Sequence, residues 1–182
     1  NADLGPEVTT EFEFGFDGAW FNNRLSSTFT YYAQRTDEAL LLVPQIPSTG
    51  FASASLQNTG VISNKGIEMT LDFAAIQTAN WGLDIGTSVA TNNSKVIDLK
   101  GLDPFTVGQP LEQSRDIWIM EGQPAPVLRS YHVTNPDEIG DPVFDKQYNY
   151  GPGVPTLTLQ PSLTLRGPGG ILVAARGEYM SG

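Results

Sequence analysis

The stretch EFEFGFDGAW, residues 11–20, places Phe12, Phe14 and Phe16 on alternate positions with Glu11, Glu13, Gly15 and Asp17 between them. A period of two is the side-chain period of a β-strand and does not fit a helical stripe, whose repeat is near 3.6. A strand with rings on one side and carboxylates on the other needs a different surrounding for each face. FNNR (21–24) then supplies residues that tolerate positive φ, so a tight reversal is expected before Leu25. Beyond it Leu25, Ser27, Phe29, Tyr31 and Ala33 alternate with Ser26, Thr28, Thr30, Tyr32 and Gln34.

The same plan returns twice. Ile67, Met69, Leu71 and Phe73 alternate with Glu68, Thr70 and Asp72; a link AAIQTAN (74–80) leads to Trp81, Leu83, Ile85, Thr87 and Val89, which alternate with Asp84, Gly86 and Ser88. TLTLQPSLTLR (156–166) is expected to turn through GPGG (167–170) into ILVAARGEY (171–179). Long connections over 36–60, 92–114 and 135–155 separate the hairpins, so short turns and long loops alternate. Within the first of them, DEALLLVP (37–44) reads as an apolar loop contact in preference to a single helical turn.

With 19 Gly and 13 Pro in 182 residues and only 16% charged residues, the composition is unlike a helical bundle, and the expected fold class is all-β, built of antiparallel hairpins. The net charge of -10 argues against nucleic acid as a partner, since phosphate neutralisation needs clustered Lys and Arg. The lack of cysteine removes disulfide frameworks, thiolate metal sites and cysteine nucleophiles together. No run of 18 apolar residues is present, so no transmembrane helix is expected, and the chain reads as a piece of something larger.

His132 is the single histidine and has no GxSxG-like context, so no catalytic residues are assigned and the chain is not expected to be an enzyme. Asp137, Glu138, Asp141 and Asp145 lack the spacing of a calcium loop, and no Lys-Ser/Thr follows the glycines of GPGVP or GPGG. Neither a metal nor a cofactor is expected.

The alternations last about ten residues, whereas strands of globular domains usually run about 5 to 6 and a tilted bilayer-crossing strand needs roughly 9 to 11. Rings cluster near strand ends, as at Trp20 and Phe21, Tyr31 and Tyr32, and Trp81, where an interfacial girdle would sit. Three readings follow from the residues. One is a transmembrane β-barrel wall, hydrocarbon outside and water within. The second is a released fragment that stacks with copies of itself as an extracellular cross-β filament. The third is a soluble sugar-binding β-sandwich. In the first reading Glu11, Glu13, Asp17, Glu68, Asp72 and Asp84 face the lumen, while Phe51, Phe105, Trp118, Tyr148 and Tyr150 in the long connections are candidates for ligand contact.

The segment NADLGPEVTTEFEFGFDGAWFNNRLSSTFTYYAQRTDEALL resembles the pattern NPDLKPE-x-T-x-E-x-E-x-G-x-D, FNNRL, YY-x-x-x-T-x-D-x-L found late in the barrel of TonB-dependent outer-membrane receptors, especially SusC/RagA-like ones. NTGVISNKGIEMTL (58–71) is similar to that family's N-x-G-x-I-x-N-K-G-x-E, and the two motifs fall in the family's order and separation. Weaker similarity continues through EGQPAP, NYGPGVPT and ARGEY; Ala2 and Gly5 depart from the pattern. The resemblance implies that residues 1–182 are a partial C-terminal region of a receptor barrel, with the plug domain and terminal strands outside the chain. It implies placement in a bacterial outer membrane, in contact with its lipid, and energised uptake of a nutrient such as a glycan, peptide or metal chelate. TonB would engage through the N-terminal region outside this chain, and a SusD-like lipoprotein is the implied surface partner.

Overall fold

The computed structural model describes residues 4–45, 54–107, 116–138 and 140–182. These are almost entirely strand: β1 (Val8–Trp20), β2 (Leu25–Asp37), β3 (Leu40–Val43), β4 (Ser55–Asn58), β5 (Val61–Gln77), β6 (Gly82–Thr91), β7 (Asn93–Asp98), β8 (Phe105–Thr106), β9 (Asp116–Ile119), β10 (Val127–Val133), β11 (Phe144–Pro152), β12 (Leu157–Arg166), β13 (Leu172–Arg176) and β14 (Tyr179–Ser181). The largest sheet runs β1-β2-β5-β6-β12-β13, with β14 also on β12 and β7 on β5; β11-β10-β9-β8 and β3-β4 form two smaller sheets. The chain divides into two compact units, one comprising Asn1–Thr10, Arg35–Asn64 and Ser94–Val154, the other Glu11–Gln34, Lys65–Asn93 and Pro155–Gly182.

The second unit contains the three expected hairpins. At the first, Phe21, Asn22 and Asn23 all take positive φ (55°, 57° and 63°), and the Arg24 N–H donates to the Phe21 carbonyl at 3.3 Å. The asparagines accept that conformation readily; Phe21 does so with no such help from its side chain.

The link expected over 74–80 is shorter than the sequence suggests. β5 continues to Gln77, and a register shift between Ala74 and Ile76 absorbs one extra residue. Such a bulge breaks the period of two, which is why the alternation ends earlier in sequence than the strand ends in space. The reversal itself is tied by Thr78, whose N–H donates to the Trp81 carbonyl at 2.8 Å and whose Oγ1 accepts the Trp81 N–H at 3.0 Å. In the third hairpin β12 keeps pairing across a partner change: β13 covers Ser162 to Arg166, and β14 covers Leu157 to Leu159. Between them the Gly177 N–H donates to the carbonyl of Pro161 at 3.0 Å.

A side chain is absent at one crowded point of this unit for a steric reason. The Tyr32 hydroxyl crosses β5 to donate to the Thr91 carbonyl at 3.3 Å, and a Cβ on Gly66 would lie 2.6 Å from that hydroxyl and 2.0 Å from that carbonyl. Glycine at 66 therefore lets a β2 ring reach β6.

The first unit holds all the buried hydrophobic residues found among the described residues: Ala39, Val43, Val61, Val96, Leu99, Phe105, Ile119 and Val127. Val43, Val96, Leu99, Phe105 and Ile119 form one cluster, with Leu41, Leu102, Val107 and Ala125 packed against it. Thr59, itself buried, donates its hydroxyl to the Leu99 carbonyl at 3.1 Å. The expectation of long plain loops is corrected here, since these connections carry β3, β4, β7, β8 and β11, with β9 and β10 between the second and the third. DEALLLVP forms strand β3 paired with β4, neither a helical turn nor an unpaired loop contact. Strands of two to nine residues, all but β10 and β11 no longer than six, show too few alternations to register as periodic, and several of their partners lie far away in sequence.

Truncating the buried Leu99 to alanine is expected to cost about 2–5 kcal/mol locally. Faster tryptic cleavage after Lys95 and Lys100 in the intact protein measures it, and unchanged cleavage would refute the packing described.

Candidate functional site

Cross-strand partners in an antiparallel sheet share a face, so the register of the second unit determines which residues line up. On one side Thr70 pairs with Ser88 and Ser88 with Gln160, while Asp72 pairs with Gly86, Gly86 with Ser162, and Ser162 with Arg176. Glu68, Ala90 and Thr158 form a further row, as do Ala74, Asp84 and Thr164. On the other side Met69, Val89, Leu159 and Tyr179 align, and so do Phe73, Ile85, Leu163 and Ala175. In these rows hydroxyls, amides and charges fall on one face of β5, β6 and β12 and rings and aliphatic chains on the other, where Thr87, level with Leu71 and Pro161, adds a hydroxyl.

The polar face carries a depression of about 530 Å³, lined by Asp72, Thr70, Ser88, Gln160, Ser162, Arg176 and Glu178 among others. Three local features shape it. Gly86 is buried, and a Cβ there would sit 2.6 Å from Asp72 Oδ1 and 2.7 Å from Ser162 Oγ, so the two side chains lean over its empty position. Pro161 has no N–H to offer the ladder. Gly177 marks the change from β13 to β14, and there Gln160 Nε2 donates to Glu178 Oε1 at 2.8 Å. Higher on the same face Arg166 donates to Asp84 at 2.8 Å, an exposed ion pair worth about 0–1 kcal/mol. With donors and acceptors of both signs, the surface can exchange hydrogen bonds with water or a polar solute, and nothing in it is arranged as a nucleophile and base.

Of the six carboxylates anticipated from sequence, the register sets Glu68, Asp72 and Asp84 on this face, and Asp72 lines the depression. Glu11, Glu13 and Asp17 are exposed on β1, alternating with rings that meet β2 on the opposite face: Phe12 approaches Tyr31 at 6.5 Å and Phe16 stacks on Phe29 at 5.5 Å. They do not reach the depression. Gln160 and Ser162 were legible from the alternation of TLTLQPSLTLR; Arg176 and Glu178 were not, because the strand break that brings them in has no periodic signature.

The ring candidates separate. Phe51 lies outside the described residues. Phe105 belongs to the core cluster of the first unit, where burial of its ring corrects the ligand-contact expectation. Trp118 is half-buried in β9 with the Arg129 guanidinium 5.0 Å from its ring centre, a cation–π pair. Tyr148 and Tyr150 are exposed on β11 and pack edge to face at 5.6 Å; the Tyr150 hydroxyl donates to the Tyr131 carbonyl at 3.2 Å. Tyr131 and Phe144, which sequence reasoning passed over, form a second exposed edge-to-face pair at 6.3 Å.

Residues 1–127 match the family model described as TonB dependent receptor-like, beta-barrel. TonB-dependent receptor P26 of Formosa agariphila is 33% identical over 103 residues, which are 57% of this chain and 10% of that protein. TonB-dependent receptor SusC of Bacteroides thetaiotaomicron is 24% identical over 149 residues, 79% of this chain and 15% of that protein. The solved structure of the RagAB peptide transporter superposes with a TM-score of 0.76 at 23% identity, covering 99% of this chain and 22% of that one, a likeness of fold. The chain thus spans between 10% and 15% of the length of these curated relatives.

Replacing Gly86 with valine is expected to force Asp72 and Ser162 apart and to cost about 1–3 kcal/mol, whereas Asp84→Asn should cost no more than about 1 kcal/mol. Unfolding temperatures of the two variants, read by heat-induced mobility shift, check the order; equal shifts would refute the crowding at Gly86.

Proposed function

Since the chain belongs to the TonB-dependent receptor-like β-barrel family, we propose that residues 1–182 are a late part of the barrel wall of an outer-membrane transporter. One observation carries this reading: the second unit sorts its side chains into a polar and an apolar face, and the apolar face is uncovered. Phe12, Phe14 and Phe16 are 61%, 57% and 50% exposed, and Ile85, Leu163 and Val173 are exposed as well. A large apolar side chain left in water forgoes about 1.5–3 kcal/mol relative to burial, so a face of this extent requires a hydrocarbon surrounding. A bilayer supplies one along roughly 9 to 11 residues of a tilted strand, a span that the 13-residue β1 and the 17-residue β5 are long enough to cross.

In this reading Glu11, Glu13, Asp17, Glu68, Asp72 and Asp84 face an aqueous lumen, and the exposed rings Tyr148 and Tyr150, with Trp118, are contacts for cargo. The cargo is a nutrient such as a glycan, a peptide or a metal chelate; likeness to a protein titled a peptide transporter favours a peptide. Uptake is energised by TonB acting on parts of the receptor beyond this segment, and likeness to SusC supports a SusD-like lipoprotein as surface partner. The role assigned is transport, as in relatives named receptors, and not catalysis. The sandwich reading has no support among the described residues, where the exposed Phe12, Phe14, Phe16, Ile85 and Leu163 belong to a single sheet. The filament reading has none either: the strands pair with neighbours in the same chain.

The segment has no cysteine, so single substitutions within it give clean reporters. In the full-length receptor in its membrane, cysteine at Glu68, Asp72 or Glu13 is expected to react with a charged, membrane-impermeant maleimide. Cysteine at Phe14, Phe73 or Leu163 should react only with a lipid-soluble one. Reaction of the Phe14 position with the charged reagent would overturn the assignment.

A further inference from the structure

On the apolar face of the second unit, about 470 Å³ of open space lies over β2 between β1 and β5. Phe16 and Trp20 of β1 form one wall, Met69 and Leu71 of β5 the other, and Ser27 of β2 lies between them. Ser27 is the small residue in the outward series Leu25, Ser27, Phe29, and it is 9% exposed, so the groove exists because a hydroxymethyl stands where its neighbours carry large side chains. The stacked rings of Phe16 and Phe29, 5.5 Å apart, close it at one end. Trp20 and Phe21, beside the β1–β2 turn, stand at the other.

We propose that this groove is a binding site for one acyl chain of a membrane lipid. The inference rests on the outward assignment of the apolar face made above. Three properties select the occupant. No charged residue lines the groove and its lining is mostly rings and aliphatic chains, so a charged headgroup finds no counter-charge within it. Its width is set by two strand spacings, roughly 10 Å from β1 to β5 before the wall side chains are subtracted, which is too narrow for a helix about 10–12 Å across and fits a single hydrocarbon chain. Its long axis follows the strands, covering roughly 13 Å from Leu25 to Phe29 at about 3.3 Å per residue, and strands that cross a bilayer run broadly alongside the lipid chains. Trp20 at the turn end suits the headgroup level, where an indole offers an apolar body and an N–H donor. The lipid headgroup would lie beside this ring, with its chain directed toward Ser27 and Phe29.

The test uses the full-length receptor in nanodiscs of phosphatidylethanolamine and phosphatidylglycerol, with a fraction of the phosphatidylethanolamine carrying a diazirine on one acyl chain. After illumination, labelled peptides are mapped by mass spectrometry. Labelling at Ser27, Met69 and Leu71 is expected to exceed that at Phe12 and Phe73, which share the face but lie outside the groove, by several-fold. Ser27→Phe should abolish the excess while leaving labelling at Phe12 unchanged, and Ser27→Ala should keep it. Equal labelling at all five positions, or an excess that survives Ser27→Phe in a folded receptor, would overturn the groove while leaving the bilayer-facing assignment intact. Absence of label at Phe12 and Phe73 as well would overturn both.

Discussion

The antiparallel ladder joining β5, β6 and β12 holds the rest of the second unit to one arrangement. Because side chains alternate at every residue, sliding β6 by one position would exchange its faces, setting Ile85 and Val89 among Thr70, Asp72 and Ser162. The observed register avoids this through ten successive partners between β6 and β12, from Leu157 with Thr91 to Arg166 with Gly82. Where the β5 alternation would have drifted out of phase, a bulge between Ala74 and Ile76 absorbs the extra residue before the Thr78 turn. Two faces of opposite character are thus a property of the ladder, and the two-solvent reading depends on it.

The distribution of buried apolar residues runs contrary to the usual relation between scaffold and loop. Long, regular strands bury little hydrophobic area, while the connections between them contain a cluster around Val96 and Leu99, both at 0% exposure. Each part meets a different demand. In the proposed barrel wall, a strand with lipid on one side has no need of a protein core on that side, since hydrocarbon would solvate Phe12, Phe14 and Phe16. A connection of several dozen residues in water must bury its own apolar side chains or remain unstructured, and short β-pairs such as β3–β4 and β9–β10 make that burial compatible with backbone hydrogen bonding.

Glycine and proline shape the polar face by subtraction. Gly66 admits the Tyr32 ring across β5, Gly86 admits Asp72 and Ser162 over β6, and Pro161 with Gly177 interrupts the pairing of β12 so that Arg176 and Glu178 join the same depression. In each case the missing side chain or missing N–H creates room that a regular strand would fill. Ser27 does the same on the apolar face, where a small side chain among rings opens a groove instead of a smooth surface.

Much of this was legible in the sequence, for a physical reason. The period of two in EFEFGF, IEMTLDF and TLTLQPSLTLR is a local property of the chain, and it specified the strand type and the two faces without reference to any distant residue; the asparagines of FNNR specified the reversal in the same local way. Glu68, Asp72 and Asp84 shared a face by the same count. What depended on partners remote in sequence could not be read this way: the bulge that lengthened β5, the strand β3 within DEALLLVP, the burial of Phe105 among Val43, Val96 and Ile119, and the convergence of Asp72, Ser162 and Glu178. Those arise where segments tens of residues apart meet, and periodicity records which way a side chain points but not which distant segment it packs against.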